Sequence, residues 1–86
     1  RDTGSRSESA IRKAVTGAKR EISKLESRLN EISDALTIAE VDQNFEKMAE
    51  LSDQFDTTQE RLELAYENWE TASSQLQELM AEATAS

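Results

Sequence analysis

Eighty-six residues suffice for one small domain, and 10 basic against 18 acidic side chains give it a formal charge of −8. With no cysteine and no histidine, the disulfide scaffold, the structural zinc site, the thiol nucleophile and the Ser-His triad are all excluded. Zero prolines and two glycines leave little of the turn punctuation a β-rich fold needs. No apolar run approaches the ~18 residues of a membrane span, and no signal peptide opens the chain. Because it begins at Arg1 rather than methionine, the sequence reads as a piece of a longer protein.

Residues 1–7 are polar, include Gly4, and read as a flexible linker or tag remnant. Ser5-x-x-Glu8 has capping-box spacing, which predicts a helix start near Ser7. From there the apolar residues Ile11, Val15, Ala18, Ile22, Leu25, Leu29, Ile32 and Leu36 recur in alternating steps of four and three. That strict heptad predicts a supercoiled seam on a helix over 8–38. Gly17 lies off the seam, at a propensity cost of roughly 1 kcal/mol against alanine.

The phase then breaks. The stretch Thr37-Ile-Ala-Glu-Val-Asp-Gln-Asn44 mixes β-branched and Asx residues, so a turn is predicted over 39–43. Asp42 or Asn44 would cap a second helix over 44–83, with Glu46 favourably placed in its first turn. A second seam follows: Met48, Leu51, Phe55, Thr58, Leu62, Ala65, Trp69, Ala72, Leu76, Leu79 and Ala83. Thr58 is its one polar member.

Two long helices joined by so short a turn must run antiparallel. The predicted fold class is therefore all-α, a single antiparallel coiled-coil hairpin with helices roughly 45 to 60 Å long. Facing residues have numbers summing to 87 or, one heptad away, to 80. The first register sets Trp69 against Ala18 and Ile22 against Ala65, large against small, and is preferred. The second allows a tighter turn. A two-helix seam buries little, so the hairpin is expected to be marginal alone or to dock on something else.

The charge is divided along the chain. Residues 1–28 carry eight basic and four acidic groups, a balance of +4, whereas residues 29–86 carry two basic and fourteen acidic groups, a balance of −12. Most acids of the second helix fall at heptad positions b, c and f, facing water, so few ion pairs should cross the seam. Lys13, Arg20 and Lys24 also face outward and, edged by Arg12, Lys19 and Arg28, form a basic stripe. Clustered cations of this kind suit phosphate contact without reading base sequence. The alternative for the stripe is a merely solvated face. Trp69 is expected to be a core knob, and Tyr66, at an e position, to be exposed.

No constellation supports catalysis. Acid pairs on one helix face are abundant, but acid-base chemistry needs an enclosure that shifts one pKa, and a two-helix rod offers none. Calcium-loop spacing and phosphate-cradling glycine loops are absent.

One stretch is more specific. Leu62-Glu-Leu-Ala-Tyr-Glu-Asn-Trp-Glu70 resembles the late second helix of the C-terminal coiled-coil domain of ABC-F ATPases, in which a Tyr/Phe-x-x-Trp-Glu pattern matches Tyr66, Trp69 and Glu70. Ile22-Ser-Lys-Leu-Glu-Ser-Arg-Leu29, with the basic start Ile11-Arg-Lys13, is similar to the first helix of that family. The sequence departs from the pattern at Asn68, where arginine is common, at Thr71-Ala72, and in lacking an Asp-Pro-Asp-aromatic type of turn.

The resemblance, strongest to Uup-like members, implies a non-catalytic accessory arm of a cytoplasmic ATPase that acts at the ribosome in translation or on DNA. ATP and Mg²⁺ would belong to the parent's two nucleotide-binding domains. This domain would itself hold no cofactor and no metal, and would have no membrane partner. Its expected contact is nucleic acid, DNA or ribosomal RNA, through Arg12, Lys13, Lys19, Arg20, Lys24 and Arg28. A structural spacer or protein-interaction hairpin is the competing reading. An RNA-contacting arm like that of seryl-tRNA synthetase shares the architecture but not the Tyr/Trp segment.

Overall fold

The computed structural model describes the backbone of residues 2–85 and the side chains of residues 8–84. Two helices, α1 (Asp2–Val41) and α2 (Phe45–Ala85), fold back on one another as a rod of 64 × 18 × 14 Å. The chain is an all-α antiparallel hairpin, as the heptads require.

The boundaries differ from expectation at three places. α1 begins at Asp2 rather than at residue 8, so it takes in most of the segment read as linker. The capping-box reading rests on the Ser5 side chain, which lies outside the described residues. α1 also runs three residues past 38, and the reversal occupies 42–44 instead of 39–43. The seam explains the longer helix: Ala39 stands one further heptad step beyond Leu36 and is 4% exposed, a core residue rather than a turn residue. α2 extends past 83, and Ala83, expected in the seam, is exposed.

Burial follows one heptad position on each helix. Leu25, Ile32 and Ala39 on α1, and Leu51, Thr58, Ala65 and Ala72 on α2, are each seven residues apart and buried. The alternate seam residues, among them Ile22, Leu29, Leu36, Phe55, Leu62 and Trp69, are half-buried. The division follows heptad position rather than size, since Leu25, Ile32 and Leu51 are buried with the alanines, and the alternate position stays partly in water where only two helices meet.

The tightest core cluster joins Ile32, Ala39 and Leu51, with Leu36, Met48 and Phe55 packed on it. These are the members of three successive layers of the register that sums to 87. The other register would centre the reversal on residue 40, which lies inside α1. Thr58, the polar member of the seam, is 8% exposed and satisfied, its Oγ1 donating to the Gln54 carbonyl at 2.7 Å.

The reversal ends one helix and starts the next within three residues. Asn44 N–H donates to Ala39 O at 2.9 Å and Gln43 N–H to Glu40 O at 3.1 Å, the paired bonds of a Schellman motif. Gln43 occupies its left-handed position, at φ 56°. Asn44 then caps α2, its Oδ1 accepting from Lys47 N–H at 3.2 Å. Asp42, the other candidate cap, makes no such bond.

A left-handed glutamine costs roughly 1–2 kcal/mol that glycine avoids, partly offset by glycine's extra freedom when unfolded. Gln43→Gly should therefore stabilise the hairpin by about 1 kcal/mol, a rise in melting temperature of roughly 4–8 °C. A thermal melt followed by circular dichroism measures this. An unchanged or lowered midpoint would show that the turn carries no strain for glycine to relieve.

Candidate nucleic-acid interface

All six basic residues proposed as contacts are exposed on α1. Their surroundings divide them. Arg12 donates from Nη2 to Glu8 Oε1 at 3.0 Å, one turn away on the same helix. Arg28 reaches Glu31 Oε2 at 3.4 Å and also donates across the hairpin to Gln54 Oε1 at 3.4 Å. Lys13, Lys19, Arg20 and Lys24 make no hydrogen bond or ion pair within the described residues. Pairs as exposed as those of Arg12 and Arg28 are worth at most about 1 kcal/mol, so even these two cations are exchangeable for a better anion.

The pairs of Arg12, Arg28 and Lys47 each stay within one helix, in line with the outward placement of the charges. Arg12, Lys13 and Arg20 border an open groove of about 630 Å³ whose floor includes Thr16 and Gly17. A Cβ added at Gly17 would meet nothing within 4 Å, so the glycine leaves a notch between the cations that no neighbouring side chain fills. Thr16 and the notch at Gly17 are features of the groove that charge counting passed over. Glu8 also lines it, and its carboxylate is engaged by Arg12.

The aromatic residues are structural in part. Trp69 is half-buried in the seam, as expected of a core knob, and its Nε1 is shielded with no hydrogen-bond partner. Tyr66 is 43% exposed, and its hydroxyl donates to Glu26 Oε2 at 2.7 Å, tying α2 to α1. This bond was legible in principle. Tyr66 and Glu26 are both e positions, and beside an antiparallel seam, where a meets d, the flanking positions meet e with e and g with g.

The hydrogen bond to Glu26 raises the Tyr66 hydroxyl above its ordinary value of 10.0, with desolvation and the Glu26 charge adding in the same direction. A folded-state pKa raised above the unfolded one stabilises fully below pH ~10, and this contribution is lost as pH rises through the folded value. Tyr66 is the chain's one tyrosine, so ultraviolet titration reads it directly. Its midpoint should lie above 10 and fall back toward it in Glu26→Gln. A midpoint that ignores the substitution would remove the bond from the folded state in solution.

Among the described residues, no group of three or more acidic side chains is placed to hold a metal ion. No described helix is long and apolar enough to cross a membrane.

The fold and its surface define a two-helix coiled-coil arm with a basic flank and an acidic flank. The chain matches the ABC transporter C-terminal domain family over residues 8–74, well over half its length, and it belongs to that family. It is thus a C-terminal domain of an ABC-type ATPase. No curated protein and no solved structure gives a significant match.

Proposed function

We propose that the chain is a non-catalytic arm of an ABC-F-type ATPase and contacts nucleic acid, DNA or ribosomal RNA, through the basic flank of α1. The observation that carries this reading is the set of exposed, unpaired cations Lys13, Lys19, Arg20 and Lys24 on one helix of an otherwise acidic protein. Phosphate contact releases condensed counterions and needs only such a cluster. The acids of α2 sit on another flank, where they keep phosphate away and so orient the arm on its target. In this reading ATP and Mg²⁺ act at the parent's nucleotide-binding domains, the parent works in the cytoplasm, and the arm steers it to its substrate.

The test is binding of labelled short duplex DNA and of structured RNA by the 86-residue chain across a salt series. It is repeated with Lys13→Glu, Arg20→Glu and Lys24→Glu combined. The parent sequence should show a steep fall of affinity with salt, and the triple variant a slope smaller by about three. Equal binding by both proteins, or none by either, would leave the hairpin as a spacer or protein-interaction element.

A further inference from the structure

The tip of the hairpin carries apolar surface that the fold does not use. Ile38, Val41 and Phe45 are 64%, 78% and 73% exposed, the highest values among the large hydrophobic residues. The remaining exposed ones, Leu64, Tyr66 and Met80, are spread along α2. Single exposed apolar residues are ordinary, but three within eight positions, at the end of a rod, form a patch.

The tip is also held firmly. The Schellman motif and the Asn44 cap close the reversal, and the Ile32–Ala39–Leu51 cluster lies directly behind it. Such a patch is presented without an ordering cost on binding.

Its rim has one sign. Glu40, Asp42 and Glu46 are exposed, and their side chains form no hydrogen bond or ion pair within the described residues. The nearest cation, Lys47, is turned to Glu50 at 3.9 Å. Between residues 38 and 46 there is no basic residue. Phosphate is repelled from such a rim, whereas a positively charged polypeptide with an apolar face satisfies both parts of the surface at once.

We infer that the tip, through Ile38, Val41 and Phe45 ringed by Glu40, Asp42 and Glu46, is a docking surface for a cationic, apolar-faced protein segment. Its first member, Ile38, lies ten residues of helix, roughly 15 Å, beyond Arg28 at the near end of the basic stripe. The two surfaces therefore address partners of opposite charge, and neither depends on the other.

The test uses the isotope-labelled 86-residue chain and a synthetic amphipathic helical peptide of leucine and lysine, followed by amide chemical shifts. Controls are the leucine–glutamate counterpart and short duplex DNA. The lysine peptide should shift amides of residues 36–47 most strongly. Val41→Ser with Phe45→Ser should weaken it by about tenfold or more, with the melting temperature unchanged because both side chains are exposed. Asp42→Lys with Glu46→Lys should weaken it comparably.

Shifts spread evenly along the acidic flank of α2, or equal affinity in the serine variant, would overturn the inference. So would tip shifts caused by DNA. Concentration-dependent self-association abolished by the serine pair would assign the patch to a second copy instead, and would overturn it equally.

Discussion

Replacing Ile32 with alanine should cost the hairpin about 3–4 kcal/mol, the largest effect of any single truncation in the seam. Ile32 is 2% exposed, the most buried side chain among the described residues, and it anchors the cluster that includes Ala39, Leu51 and Phe55. Truncation removes its transfer free energy and leaves a void that the surrounding side chains only partly fill. Ile22→Ala, at a half-buried position, should cost about half as much, because its side chain is already partly in water. Urea unfolding followed by circular dichroism compares the two. Equal losses would mean that solution burial does not alternate along the seam as described. In a core this small the Ile32 variant should be largely unfolded at body temperature, since marginal domains have little more than this to lose.

The second large effect lies at Trp69, where ring and N–H pull in opposite directions. The ring covers the seam, and Trp69→Ala should cost about 3 kcal/mol, the low end for aromatic truncation because the residue is only half-buried. The shielded Nε1 without a partner works against the fold, since an unsatisfied buried donor costs roughly 1–3 kcal/mol. Trp69→Phe keeps most of the ring and removes the donor, so it should fall within about 1 kcal/mol of the parent. If phenylalanine costs as much as alanine, the indole N–H has a partner in solution and the account of the site is wrong. Both variants are read by urea unfolding. Trp69, the only tryptophan, also reports on its own burial by fluorescence.

Much of this architecture could be read from residue spacing, because a 3.5-residue period sustained through Leu36 and resumed at Met48 has one physical outcome. What spacing concealed was the end of the first helix. Ile38 and Val41 fall outside the heptad, and with Thr37 they made the phase look broken, although Ala39 continued it. These off-phase residues are the ones left in water at the tip, so the apparent defect in the pattern was surface rather than turn. The Schellman ending was hidden for another reason: a glutamine at the left-handed position carries no glycine signal.

The candidate contact residues were legible as charges. Their division into Arg12 and Arg28, paired within the fold, and Lys13, Lys19, Arg20 and Lys24, without a partner among the described residues, depends on side-chain geometry that charge alone does not encode. Two bonds that stitch the helices, Tyr66 to Glu26 and Arg28 to Gln54, join e to e and g to g. Heptad lettering alone could have nominated them.

The reversal at Gln43 and Asn44 bears on mechanics as well as on topology. With both helices unbroken and the tip closed by hydrogen bonds, the molecule is a lever 64 Å long, and each degree of rotation at its open end sweeps the tip through about 1 Å. A rotation of about 10° at that end carries Ile38, Val41 and Phe45 across the width of a helix, about 10 Å. A rod of this length turns small angles at one end into large displacements at the other.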